Sequence, residues 1–329
     1  MKKILCCMAC ILTVLSGNMA SHAAQYKILV VMSYEENFPW CQEVKTGIES
    51  TLGSQSELRY VYMNTKTDPN GGAKKAEEAY AAYQEFQPDG VIAVDDNAQS
   101  LFVVPYLKDK VKTPVMFAGV NAEPSKYGYP AANVSGILER EQFKESLFLV
   151  QQLVRGAKTF GILLPDDATG KALFAQIEQE KGEYPLAFTE AKIPKTFEEL
   201  QTMAEAMKQT NDALFYITFE GLPNHAGKAM TDKEMLPVVA AKFGKPILTN
   251  APFRVKFGAL CAVVKTGEEQ GSAAADMLLS AMRGKSVAEI PITRNHFGRR
   301  ILNATTLHAL QIKPSPIVLR GAELVTTEQ

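Results

Sequence analysis

Carboxylates gather in short runs along this sequence, as Glu35-Glu36, Asp95-Asp96 and Asp166-Asp167 with Glu220 further on, and the cations expected near them are Arg254 and Lys256. Adjacent acids could divide proton transfer between a general acid and a general base, or hold a cation through charge-assisted hydrogen bonds. The remaining residues decide between these chemistries. His225, His296 and His308 stand apart from one another and from cysteine, so no zinc-ligand spacing arises. The sequence has neither a Gly-x-Ser-x-Gly elbow nor a Gly-x-Gly-x-x-Gly loop. Gly284-Lys285-Ser286 ends like a phosphate loop, but Leu279 stands where that motif needs its first glycine, and a helical pattern precedes it. No catalytic residue, metal or cofactor is therefore assigned, and the expected chemistry is recognition of a small molecule.

The elements that would position these acids follow from the apolar pattern. Short apolar runs fall at 27–32, 59–63, 90–94 and 114–118, and again at 159–164, 186–189, 213–217 and 246–248. Both halves take these runs at nearly the same spacing, which is a duplication of architecture without a duplication of residues. Runs such as KILVVM, GVIAV and FGILL are apolar at consecutive positions, the mark of strands covered on both faces in a parallel sheet. Helical patterns lie between them: Thr196-Phe197-Glu198-Glu199 reads as a capping box, residues 73–86 are rich in Ala, Glu and Lys, and further helices are expected at 143–153 and 267–283. After the eighth run come a strand at 258–264 and an extended stretch at 290–303. The expected fold is α/β, two doubly wound parallel-sheet lobes joined by a three-crossing hinge. Residues 25–136 plus 263–290 would form the first lobe and 137–262 plus 291–329 the second, with crossings near 135–138, 259–264 and 292–301.

In open parallel sheets ligands bind beyond the carboxyl ends of the strands. That rule selects Ser33, Tyr34, Glu36, Asp95, Asp96, Asn97 and Asn121 in the first lobe, with Ser135 at the first crossing. In the second lobe it selects Asp166, Thr169, Thr218, Glu220, Asn250 and Arg254. Asp96, Asn97, Asn121 and Thr169 are equally good helix caps. Trp40, the one tryptophan, and Phe253 lie near the same rim beside Phe38, either packed in a core or stacked on a solute. The excess of carboxylates favours a solute with an amine, whose carboxylate, if it has one, would meet Arg254.

At the amino end Lys2 and Lys3 precede an apolar run over residues 4–15, and Ser21-His22-Ala23 supplies a small-x-small cleavage site. Residues 1–23 read as a signal peptide, too short to remain as a membrane span, and the product is expected in the periplasm, not embedded in a membrane. A lipid anchor would need a cysteine just after the apolar core, whereas Cys10 lies within it. The mature chain keeps Cys41 and Cys261, either bridged or both buried as thiols. The formal net charge of −1 is scattered over both signs, so nucleic-acid binding has no electrostatic footprint. A monomer is expected.

From Gly258 the stretch GALCAVVKTGEEQGSAAADMLLSAMRGKSVAEIPI, followed by ILNATTLHALQIKPSPIVLRGAELV, resembles the carboxyl-terminal signature of the ABC-transporter substrate-binding family that includes tryptophan- and tyrosine-uptake proteins. MFAGVNAEP and NVSGI resemble that family's Gly-Val-Asn/Thr and Asn-Val-Thr-Gly segments. The resemblance implies a type 1 periplasmic-binding-protein fold, a small-molecule solute, and an inner-membrane ABC permease as partner, or else a chemoreceptor or sensor-kinase domain. This sequence departs from the family at Cys261-Ala-Val-Val-Lys265 and at Asp95-Asp96-Asn97, both at strand ends, so the resemblance carries the transporter class and leaves the solute open.

Overall fold

The structure, a computed structural model, describes residues 26–328; the signal segment read at residues 1–23 lies outside them. The first part of the chain runs β1 (Tyr26–Met32), α1 (Pro39–Leu52), β2 (Ser56–Tyr62), α2 (Gly72–Phe86), β3 (Gly90–Val94), α3 (Asp95–Ala98), β4 (Val115–Val120) and β5 (Val134–Leu138). The second runs α4 (Phe143–Leu153), β6 (Thr159–Leu163), α5 (Ala168–Glu180), β7 (Ala187–Lys192), α6 (Phe197–Met207), β8 (Ala213–Tyr216), α7 (Asp232–Phe243), β9 (Ile247–Leu248), α8 (Pro252–Lys256) and β10 (Cys261–Val264). It closes with α9 (Gly267–Met282), β11 (Thr293–Arg294), β12 (Arg299–Asn303), α10 (Ala304–Ala309), α11 (Pro316–Leu319) and β13 (Ala322–Val325).

Two sheets result, one ordered β2-β1-β3-β4-β5-β11 and the other β7-β6-β8-β9-β10-β12-β13. Their first five strands take the same doubly wound order, and only β12 runs antiparallel to its neighbour β10. The consecutive apolar runs explain why: alternate residues of each strand enter different cores. On β1, Leu29 and Val31 pack with Phe102 and Phe117 on one face, while Ile28, Val30 and Met32 pack on the other against Val44 and Ile48 of α1 and Ala274 and Leu278 of α9. The second lobe is built likewise, around Phe143, Phe160 and Phe215 on one face and Leu200, Tyr216 and Phe243 on the other.

Helix α9 belongs to the first lobe although it follows the second in sequence, because α1 and α9 meet at near backbone contact. A Cβ on Gly47 would stand 2.2 Å from the Glu268 carbonyl oxygen, and one on Gly271 would stand 2.1 Å from that of Val44. The chain passes between the sheets at 139–142, 265–266 and 295–298. Gln270, fully buried, ties these passages together: its Nε2 donates to the Leu138 carbonyl (3.1 Å) and to Asn295 Oδ1 (3.4 Å), and its Oε1 accepts from Gly119 N (2.8 Å). Asn295 in turn accepts from Arg140 N (2.8 Å) and donates to Arg140 O (3.0 Å). Cross-bonded strands of this kind permit rotation about a shared axis and oppose independent drift of the lobes.

Several sequence expectations need correction. Residues 135–138, read as a crossing, form β5 inside the first sheet. Gly136 breaks the apolar run there because a Cβ would lie 2.3 Å from the Phe117 carbonyl oxygen. Ser135 is accordingly buried in that sheet, its hydroxyl donating to the Ile290 carbonyl (2.7 Å). The stretch 290–303 is not one extended segment but two short strands in different sheets. At Thr196 the cap is half a box: Thr196 Oγ1 accepts from Glu199 N, but the Glu199 carboxylate takes Lys195 N instead of Thr196 N. The reciprocal box lies at Thr231 and Glu234. Of the two readings left open for Cys41 and Cys261, the structure has the second, both thiols free and buried.

Candidate functional site

A doubly wound sheet leaves a crevice where its strand order reverses, beyond the carboxyl ends of the flanking strands. Here those points fall between β1 and β3 in one lobe and between β6 and β8 in the other. Three of the expected residues, Tyr34, Trp40 and Asp95, meet at the first of them. Asp95, the residue after β3, is 2% exposed with φ of +66°, a left-handed backbone that costs a non-glycine residue about 1–3 kcal/mol and collects at functional sites. Its Oδ1 accepts from Trp40 Nε1 (3.0 Å), and its Oδ2 is buried with no hydrogen-bond partner. Burial pushes the Asp95 carboxyl well above the usual carboxylate range, and the charge of Glu139 adds to this. Tyr34 stands close enough that its phenol is also pushed up, first by burial and then by Asp95, Asp96 and Glu139.

The neighbouring expected residues shape this corner and hold it in place. Asp96 organises the loop after β4, accepting from Asn121 N (3.0 Å), Ala122 N (3.2 Å) and the Tyr127 hydroxyl (2.6 Å). Ser33 is fully buried and staples β1 to β3, donating to Val94 O and accepting from Ala98 N. Asn97 donates to Thr65 Oγ1, and Glu36 faces solvent near Lys45.

Between the lobes lies a crevice of about 660 Å³. Asn121 and Glu123 line it from the first lobe, Thr169, Gln176 and Gln179 of α5 from the second, and Glu139, Arg140, Glu141 and Lys265 from the crossings. Lys265 Nζ sits 2.6 Å from Glu139 and 2.7 Å from Glu141, joining two crossings by charge. Asn121 Nδ2 reaches Glu139 Oε2 (3.4 Å). The crevice therefore carries three carboxylates and two cations, and the cations are already paired, Arg140 with Glu123 and Lys265 with Glu139 and Glu141.

The other expected residues of the second lobe lie elsewhere. Asp166, Thr218 and Glu220 line a separate depression of about 390 Å³ with Lys195. Arg254, expected to meet a ligand carboxylate, is turned inward: its Nε donates to Asp232 Oδ2 (2.7 Å) and its Nη1 to Asn250 (3.1 Å). Asp232 also accepts from the Tyr216 and Thr218 hydroxyls and from Phe219 N, so this cluster buttresses the lobe. Phe253 is exposed beside it. Glu139, Glu141, Gln176 and Lys265 escaped the sequence reading. Glu139 and Lys265 each follow a strand, β5 and β10: the strand-end rule would have found Glu139 had residues 134–138 been read as a strand, and Lys265 directly follows the strand expected at 258–264, to which the rule was not applied.

Among the described residues no cluster of His, Cys, Asp and Glu is arranged to hold a metal, and no helix is long and apolar enough to cross a membrane. The family profile described as ABC transporter substrate binding protein matches residues 47–326. A search of curated proteins finds no match. Among solved structures, the ligand-free, open form of a substrate-binding protein with adhesive properties from Clostridium difficile superposes with a TM-score of 0.66 at 18% identity, covering 92% of this chain and all of that one. An ABC domain in complex with L-Trp from Streptococcus pneumonia gives 0.50 at 20% identity, covering 91% and 99%. An ABC-type branched-chain amino acid transporter from Rhodopseudomonas palustris gives 0.56 at 13% identity, covering 79% and 81%. At such identities the likeness is one of fold.

Proposed function

Because this chain belongs to the ABC transporter substrate-binding protein family, a family of binding proteins and not of enzymes, we propose that it captures a small amine-bearing solute, an amino acid or a relative of one, between its two lobes. The observation that carries this reading is the buried, unpartnered Oδ2 of Asp95 at the strand-order reversal of the first lobe. An acceptor removed from water without a donor costs free energy that a ligand N–H returns, and an ammonium group brings the opposite charge as well. Solved relatives in complex with L-Trp or described as branched-chain amino acid transporters support the amino-acid class. Arg254 is committed to Asp232 and Lys265 to Glu139 and Glu141, so the reading rests on the ammonium end of the solute.

Capture proceeds by rotation about the three crossings. The solute bridges Asp95 on one lobe and α5 on the other, and so favours the closed member of a two-state pair by its differential affinity. A dissociation constant on the order of micromolar corresponds to about 8 kcal/mol. The closed form then presents both lobes to the permease of an importer. The signal peptide read at residues 1–23 supports a periplasmic setting for this step. Isothermal calorimetry against amino acids, polyamines, purines and sugars tests the reading: saturable binding by an ammonium-bearing compound is expected, and binding only by neutral sugars or by anions refutes it.

A further inference from the structure

Three cations stand near the strand tips that frame the crevice, and they are held differently. Arg140 and Lys265 are tied to carboxylates. Lys66, on the loop after β2, rests on aromatic rings: its Nζ lies 4.2 Å from the centroid of Tyr34 and 4.6 Å from that of Phe38, and these two rings meet edge to face at 5.5 Å. Among the described residues it makes no ion pair. The positive charge of Lys66 also reaches Asp95, where it opposes the effect of burial on that carboxyl. An ammonium group thus already occupies the space bounded by Tyr34 and Phe38, within electrostatic reach of Asp95, and it belongs to the protein.

The loop that carries Lys66 is fixed on either side of it. Thr65 Oγ1 donates to Ser33 O (2.8 Å) and accepts from Asn97 Nδ2 (2.8 Å), while Thr67 donates through both N and Oγ1 to Glu35 Oε1 (2.8 Å each). The Lys66 side chain itself is exposed, so it can swing out to water without unfolding the loop. A lysine ammonium gains little over an exposed aromatic face compared with full hydration. A solute ammonium that also donates an N–H to Asp95 Oδ2 has the advantage over it. We propose that Tyr34 and Phe38 form the cation seat of the solute site and that Lys66 is its tethered occupant, displaced when the ammonium group of the solute enters. This deepens the amine-capture reading above and rests on it. Lys66 then acts as a selectivity filter, since a weakly cationic or neutral molecule cannot evict it.

Trp40, the single tryptophan of the chain, bonds to Asp95 and reports on this corner by its fluorescence. The probe is n-butylammonium chloride, with n-butanol as the neutral analogue and tetramethylammonium as a cation without N–H. Lys66→Ala and Lys66→Met should bind n-butylammonium about three- to tenfold more tightly than wild type, and Lys66→Arg, which keeps the cation, should stay near wild type. Phe38→Leu should weaken the probe, n-butanol should give no saturable signal, and tetramethylammonium should bind more weakly than n-butylammonium. Equal affinities in wild type, Lys66→Ala and Lys66→Met, or no saturable binding to any of them, overturns the proposal. If the Lys66 variants tighten the probe but none of the amino acids or polyamines binds in calorimetry, the seat stands and solute capture fails. If an amino acid binds and the variants leave both it and the probe unchanged, capture stands and the seat fails.

Discussion

Asp95→Asn separates what the site costs the fold from what it offers a solute. The substitution keeps side-chain size, keeps an oxygen for Trp40 Nε1, and suits the left-handed backbone at φ +66°, where Asn is among the tolerated residues. What it removes is one ionisable proton. In the folded protein burial holds the Asp95 carboxyl well above the usual range, whereas in the unfolded chain it ionises near pH ~3.9. Below the unfolded value both states are protonated and the native state suffers no penalty. As pH rises from there toward the folded value only the unfolded state gains by ionising, so stability is lost at about 1.4 kcal/mol per pH unit. An amide has no such slope. Thermal melts should therefore show Asp95→Asn and wild type alike near pH 4, with the variant the more stable at pH 7, each kcal/mol being worth about 2–4 °C in a lobe of this size. Affinity should move the other way: losing a charge-assisted hydrogen bond of about 1.5–3 kcal/mol weakens an amine-bearing solute by about 10- to 150-fold in calorimetry. A variant that melts lower at pH 7 and binds its solute unchanged refutes both halves of the argument.

Arg254→Met should destabilise the second lobe by about 3–5 kcal/mol in denaturant titrations, because it leaves Asp232 buried beside Tyr216 without its cation; loss of solute affinity with stability intact would instead make Arg254 a ligand contact. Gly271→Ala, which drives a methyl into the Val44 carbonyl, should cost about 1–3 kcal/mol and melt the first lobe, far from it in sequence; an unchanged melting curve would show that α1 and α9 are not packed this closely. Burial pushes both the Cys41 and Cys261 thiols up to about 12, so neither should react with a thiol reagent at pH 8 in the folded protein, and both should react once it is unfolded. Rapid labelling of either in the native state would contradict their packing.

The lobes were legible because their strands are apolar at consecutive positions, and sheets covered on both faces leave that pattern in any order of residues. The strand β5 was not, because Gly136 answers a close approach by Phe117 that no local pattern records. Much the same divides the site. Asp95 and Asp96 stood out as adjacent acids at a strand end, but the sequence treats them as equals. Their division, one orphaned beside Trp40 and one saturated by three donors from the loop after β4, depends on contacts 25 or more positions away. The pairing of Arg254 was illegible for a related reason: its partner Asp232 lies on α7, and only the packing of α8 against α7 turns the guanidinium inward. Lys265 was visible as a departure from the family pattern before its pairing with Glu139 and Glu141 could be known.

The most direct measurement is a crystal structure of the protein purified without refolding, so that a solute taken up in the cell stays in place. Density for an amine-bearing molecule should lie in the crevice between the lobes, in contact with both, with a nitrogen within hydrogen-bond distance of Asp95 Oδ2. A solute held on one lobe alone, as in the depression beside Asp166 and Thr218, would contradict capture between the strand tips.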